Sequence, residues 1–139
     1  MDYLLLEGGA EFGGQMSEPD LRALELARGP VAILPTAAAP DNNHERAGRN
    51  GRRWFQSLGA SLVDPVPVTD KLSANNPEFA ARIRAAKLIY LLGGFPRHLG
   101  ETLANSLVWR AALQVYEEGG VIAGSSAGAM VLCEHYYDP

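Results

Sequence analysis

A serine framed by glycines two residues to either side, Gly124-Ser125-Ser126-Ala127-Gly128, constrains this chain more than any other stretch. Residues 121–123 before it are small or β-branched and apolar, and every residue from 129 to 133 is small or apolar. That pattern predicts a buried strand, a sharp turn and a buried helix. A serine on such a turn is forced into a cramped backbone conformation, tolerated only where the residues two before and two after carry no β-carbon. Its oxygen then stands out at the carboxyl end of the strand. The first free N–H groups of the helix, beginning at Ala127, face any negative charge that forms beside it. Such a group is an acyl-transfer nucleophile with half of an oxyanion hole. A glycine-rich turn kept small only for packing is the plainer alternative, and Ser125 is read as a packing residue.

Taken in order, residues 3–6 form a short apolar run closed by Glu7-Gly8-Gly9. Residues 18–27 carry apolar positions at helical spacing, with Ser17 placed as a cap and Asp20 standing in for a capping box. Arg28-Gly29-Pro30 stops that helix before a second apolar strand at 31–34, closed by Pro35. A helix is expected over 42–58, weakened by Gly48 and Gly51, and a third strand at 60–63. Asp64-Pro65-Val66-Pro67 reads as loop or sheet edge, because neither proline can donate to a ladder. A helix over 77–86 with Pro77 at its start precedes a strand at 88–92, halted by Gly93-Gly94. Helices over 97–105 and 106–118 follow, the second capped by Ser106 and stopped by Gly119-Gly120. Apolar strands separated by helices indicate a mostly parallel sheet covered on both faces. The expected fold is a three-layer α/β/α, flavodoxin-like, doubly wound core, with ligands beyond the carboxyl ends of its strands.

With 139 residues, 47% of them hydrophobic and 20% charged, the chain is long enough for one α/β domain over 1–139 and too apolar for disorder. A formal net charge of −4 gives no long-range attraction for nucleic acid or an anionic membrane, so neither is an expected partner. The single cysteine, Cys133, excludes a disulfide framework and is read as a buried core thiol. The start of the chain lacks the basic, extended apolar character of a signal peptide, and no run reaches the roughly 18 apolar residues of a membrane span. A cytoplasmic protein is the expectation.

The stretch Gly124-Ser125-Ser126-Ala127-Gly128-Ala129-Met130 is preceded by Leu91-Leu92-Gly93-Gly94, Trp109 and Gly119-Gly120. Together they resemble the serine peptidases of the dipeptidase E and cyanophycinase group, family S51, in the class I glutamine amidotransferase-like superfamily. The resemblance implies Ser126 as nucleophile and the N–H groups of Ala127 and Gly94 as the oxyanion hole. It implies a small peptide substrate, an aspartyl dipeptide or a β-linked Asp-Arg amide, and no metal or organic cofactor. Glutaminases of the superfamily use cysteine at this turn, which Ser126 argues against. Where dipeptidase E-like sequences often have a polar pair such as Asn-Thr after the second glycine, this chain has Phe95-Pro96.

Other stretches are less specific. Gly8-Gly9-Ala10-Glu11-Phe12-Gly13-Gly14 does not match a phosphate-binding G-x-G-x-x-G, and Glu11 would repel an anion, so it reads as a loop bordering the cleft. Gly93 and Phe95 are substrate-contact candidates beside Gly94, and His98 stands four residues on, at the rim of the same cleft. His44, Arg46, Arg49, Arg52 and Arg53 form a basic cluster that could hold an acidic substrate group or simply face solvent and pair with acids. Trp54, Phe55 and Trp109 read as packing.

A serine hydroxyl needs a base, normally a histidine oriented by an acid. Only His135 lies beyond Ser126, and in one continuous helix rising about 1.5 Å per residue it would sit roughly 13 Å away along the axis. In the family resembled, the histidine and its acid lie well past the elbow, so neither role is assigned here. The chain then reads as the N-terminal part of a longer domain, as one half completed by a partner, or as a non-catalytic binding or regulatory domain. Association into a homodimer is left open.

Overall fold

The computed structural model describes residues 2–135. Its five strands are β1 (Tyr3–Glu7), β2 (Val31–Leu34), β3 (Val63–Pro65), β4 (Leu88–Leu91) and β5 (Val121–Ser125). They form one sheet in the order β1-β5-β4-β2-β3, and every neighbouring pair is parallel. The helices are α1 (Ser17–Ala27), α2 (His44–Ser57), α3 (Lys71–Ala74), α4 (Pro77–Arg84), α5 (Pro96–Leu103), α6 (Leu107–Glu117) and α7 (Ala127–Met130). The expected three-layer α/β/α arrangement is therefore the one observed.

Alternation along each strand divides the core in two. Val31, Ile33, Leu88, Tyr90, Leu92, Val121 and Ala123 pack with Ala23 and Ala27 of α1 and Phe55 of α2. Their neighbours Ala32, Leu34, Ile89, Leu91 and Ile122 pack with Ile83 of α4, Leu99 of α5 and the Val108, Ala112, Val115 stripe of α6. The strands β2, β4 and β5 are buried along their whole length, as their unbroken apolar runs require. At the sheet edge β1 behaves differently: Leu4 and Leu6 are half exposed.

Several local expectations change. The third strand runs over Val63–Pro65 rather than 60–63, and Pro65 is accommodated because β3 is an edge whose only neighbour among the described residues is β2. Ser17 is the first residue of α1 rather than its cap, and its hydroxyl donates to the Gly14 carbonyl at 2.8 Å. Helix α3 went unanticipated; it is set by a reciprocal cap in which Asp70 accepts from the Ser73 N–H and the Ser73 hydroxyl accepts from the Asp70 N–H. Ser106 caps α6 as expected, accepting from the Trp109 N–H at 3.0 Å.

The largest change follows β5. Helix α7 ends at Met130, so Cys133 is exposed rather than a core thiol. The continuous-helix placement of His135 falls with it; that residue is exposed, its Nε2 4.0 Å from Glu134.

The join between β5, α7 and β4 leaves no room for side chains. A Cβ on Gly128 would collide with the Leu91 carbonyl, and one on Gly124 would collide with the Gly128 backbone. Gly128→Ala is expected to lower stability by about 1–3 kcal/mol, whereas Gly8→Ala, which would meet nothing within 4 Å, should change it little. Urea unfolding of the two variants beside the parent checks the contrast.

Candidate active site

Ser126 occupies the turn between β5 and α7 with φ 52° and ψ −112°. A residue with a β-carbon rarely adopts such a conformation, and it persists only where the surroundings enforce it. Here the enforcement is visible on both sides: the Ser126 N–H donates to the Glu7 carbonyl of β1 at 2.9 Å, and the Ser126 carbonyl accepts from Met130. The side chain is exposed while Ser125 and Ala127 beside it are buried. A hydroxyl held in this way stands in solvent at the carboxyl edge of the sheet.

Beside it, β4 ends at Gly93-Gly94. A Cβ on Gly93 would lie 3.1 Å from the Ser126 Cβ, so the two strand ends touch. Gly94 has φ 147°, and any side chain there would strike the Ala37 carbonyl. Among the described residues its N–H has no hydrogen-bond partner, and neither has that of Ala127 at the start of α7. Open backbone donors on both sides of an exposed hydroxyl can stabilise negative charge on an attacked carbonyl oxygen.

The loop after β1 supplies a residue that the sequence reading had left aside. The Glu11 carboxylate accepts the Gly93 N–H at 2.6 Å, and Glu11 and Ser126 are the nearest groups that a side chain at Gly93 would meet. Ala10 and Phe12, on either side of it, both have positive φ, 54° and 56°. Two non-glycine residues in that region cost about 1 kcal/mol or more each. The loop spends that strain turning Glu11 inward, where burial raises its pKa against the lowering effect of the Gly93 N–H.

Deeper beneath the turn lies a second acidic group. Glu7 accepts from the Tyr90 hydroxyl at 2.8 Å through Oε1, and Asp20 accepts from the Trp54 indole N–H at 2.7 Å through Oδ2. Glu7 Oε2 and Asp20 Oδ1 are buried with no donor among the described residues. A proton shared between the two carboxyls satisfies both atoms, and burial followed by that sharing pushes the Glu7 pKa up to about 8. The same surroundings raise the Tyr90 hydroxyl, so it stays protonated and donates.

An open cleft of ≈ 580 Å³ adjoins Glu11. Ala47, Asn50, Arg53, Trp54 and Ser57 of α2 line it together with Phe12 and Asn43. His44 does not line this cleft. It borders a separate hollow of ≈ 210 Å³ with Arg49, Pro65 and Pro67, its Nδ1 buried without a partner. His98 is turned to the β3–α3 connection, Nε2 2.7 Å from the Thr69 carbonyl. Phe95 is exposed, and its N–H donates to Ala37. Among the described residues no hydrogen bond joins a histidine to Ser126. Arg46, Arg49, Arg52 and Arg53 make no ion pairs there, contrary to the expected pairing with acids.

The family model for peptidase family S51 matches residues 4–137. The chain belongs to that family. It is 30% identical over 105 residues to a cyanophycinase from Synechococcus elongatus, covering 75% of this chain and 32% of the relative. To a cyanophycinase from Trichormus variabilis it is 26% identical over 138 residues, 95% of this chain and 45% of the relative. Among solved structures, a peptidase from an acI-B1 Actinobacterium superposes with a TM-score of 0.90 at 34% identity, covering 98% of this chain and 59% of that one. This S51 chain thus spans about a third to a half of the curated relatives and under two thirds of the solved peptidase. No helix among its described residues is long and apolar enough to cross a membrane.

The Glu7 proton has a measurable consequence for the S51 chain. A carboxyl whose folded pKa is raised binds a proton that the unfolded chain has already released, so its contribution is complete at low pH and lost as pH rises. Stability should fall from about pH 4.5, the ordinary value, to about pH 8. Glu7→Gln should flatten that slope. Urea denaturation across this range, on both proteins, reads it directly.

Proposed function

We propose that this chain is the nucleophile-bearing, N-terminal part of a longer S51 domain, a serine peptidase acting on small peptides. The observation that carries the reading is the exposed Ser126 hydroxyl, held at φ 52° between the unpartnered N–H groups of Gly94 and Ala127. In the proposed reaction Ser126 Oγ attacks the peptide carbonyl and its proton passes to a base. The oxyanion is held by Gly94 and Ala127, the base passes its proton to the leaving amine as the C–N bond breaks, and water then takes the acyl group as a carboxylic acid and restores the Ser126 hydroxyl. Aspartyl dipeptides and β-linked Asp-Arg amides are the proposed substrates; the cyanophycinase likeness supports the second. The base is supplied from outside the described residues, by further chain or by a partner. Gly93 and Phe95 border the site as substrate contacts, with His98 and His44 as more distant candidates. A cytoplasmic setting and a homodimer belong to the same proposal, without cofactor, nucleic acid or membrane.

One observation favours a second reading. With no histidine on Ser126 among the described residues, the same turn could serve a non-catalytic domain that binds anionic groups through its backbone. A fluorophosphonate probe separates the two. Labelling of Ser126 in a form carrying the base, lost in Ser126→Ala and about a thousandfold or more slower in the 139-residue chain alone, is the expected result. An unlabelled, folded long form that still binds peptide would establish the binding domain instead.

A further inference from the structure

The ladders that pair β4 with β2 and β5 end at Leu91, and beyond Leu92 the chain enters two glycines with no side chains to pack. Glycine has the widest choice of backbone conformations, so hydrogen bonds have to fix this pair. Among the described residues, the Gly93 N–H donates to the Glu11 carboxylate at 2.6 Å and the Phe95 N–H to the Ala37 carbonyl at 2.8 Å. Between these two anchors the Gly94 N–H is left open there. Glu11 is itself firmly placed. Its loop is closed by the Gly13 N–H, which donates to the Ala10 carbonyl at 2.9 Å. The Phe12 ring lies 5.4 Å from that of Tyr90 and 6.3 Å from that of Phe55, centroid to centroid. It fills space that only a glycine at 51 leaves, since a Cβ there would lie 2.8 Å from it. Positive φ at Ala10 and Phe12 lets one short loop turn both the ring and the carboxylate inward.

We propose that Glu11 is a positioning residue for the oxyanion hole: by holding the Gly93 N–H it fixes the peptide that carries the Gly94 N–H beside Ser126. The proposal rests on the peptidase reading and adds a part to it, a side chain from the β1 loop that acts through the backbone of another strand. Gly93 is the point of contact, because a Cβ on it would lie 3.1 Å from the Ser126 Cβ and 3.4 Å from Glu11 Oε2. Reach and charge act differently here. A carboxylate holds a backbone N–H more firmly than a neutral acceptor does, whereas its charge opposes an oxyanion forming nearby. Those two effects on rate run against each other, which leaves the reach of the side chain as its main contribution.

Two conservative variants separate reach from charge. Glu11→Gln keeps the acceptor at the same length and loses the charge; Glu11→Asp keeps the charge and is one methylene shorter. In a form carrying the base, the maximal rate of fluorophosphonate labelling should fall about tenfold or more in Glu11→Asp, short of the hundredfold or more that loss of an oxyanion donor costs. In Glu11→Gln it should fall about threefold or less, and the probe concentration at half-maximal rate should stay within about twofold in both. In the 139-residue chain, amide NMR relaxation should give Gly94 an order parameter near ~0.85 in the parent and in Glu11→Gln, and below about 0.6 in Glu11→Asp. Gly94 as rigid in Glu11→Asp as in the parent, or a labelling rate lost equally in both variants, overturns the proposal. A folded parent that carries the base and is never labelled counts instead against the serine mechanism, while the relaxation measurement still decides the role of Glu11. Dispersed amide spectra confirm that each variant is folded.

Discussion

The backbone of α7 lies so close to β4 that Gly128 has the Leu91 carbonyl where a side chain would begin. Most of the site follows from this contact. With α7 pressed against the sheet, the chain leaving β5 must reverse within one residue, and Ser126 takes the strained conformation. Strain of this kind is maintained only by a rigid surround. Here the surround is two neighbouring strands: β1 accepts the Ser126 N–H at Glu7, and β4 ends against its Cβ at Gly93. The strand order β1-β5-β4 thus has a consequence at Ser126, because it flanks that residue with the two strands whose ends hold it.

How much of this was legible beforehand varied with the range of the interaction responsible. Glycine spacing at 124 and 128, the apolar strands and the Ser106 cap are local signals, and each marked its element. The strand order depends on long-range pairing and was not readable. Helix α7 failed for a related reason: the apolar run from 129 to 133 has helical composition, but apolarity does not say where a helix ends, and this one stops at Met130. Glu11 was read only in part: its loop does border the cleft, but its inward turn was not foreseen. Sequence showed an acid in a glycine-rich loop and treated it as an obstacle to anions. Its inward turn depends on positive φ at Ala10 and Phe12, alanine and phenylalanine being residue types that do not announce such a conformation. An acid two residues past a strand-ending Gly-Gly was the one signal that could have drawn notice.

The acidic residues also divide the labour by depth. Glu7 and Asp20 are buried, each spending one oxygen on a neutral donor and the other on the shared proton. The raised pKa of Glu7 keeps the buried pair from holding two bare negative charges side by side. Glu11, nearer the surface, accepts from the Gly93 N–H and is favoured as a carboxylate by the Ser125 hydroxyl, against the burial that raises its pKa. The formal charge of −4 over the whole chain conveys none of this arrangement.

The buried carboxyl pair also bears on how β1 is held. As an edge strand it has one neighbour among the described residues, β5, and on the side facing α4 to α6 its Leu4 and Leu6 remain half exposed. Hydrophobic anchoring is therefore one-sided, through Tyr3 and Leu5 against the α1 and α2 layer. At the carboxyl end of the strand the polar contacts take over: Glu7 is joined to Tyr90 of β4 and, through the proton, to Asp20 of α1, itself tied to Trp54 of α2. Each link crosses from one secondary element to another, so the network locks the end of an otherwise weakly held strand. That end carries the carbonyl on which the Ser126 N–H depends. Apolar residues of equal volume could fill the space, but they would not fix the rotation of the strand about its axis, and hydrogen bonds with defined partners do. The acids under the turn are thus explained by geometry at Ser126 before any part in the chemistry is assigned to them.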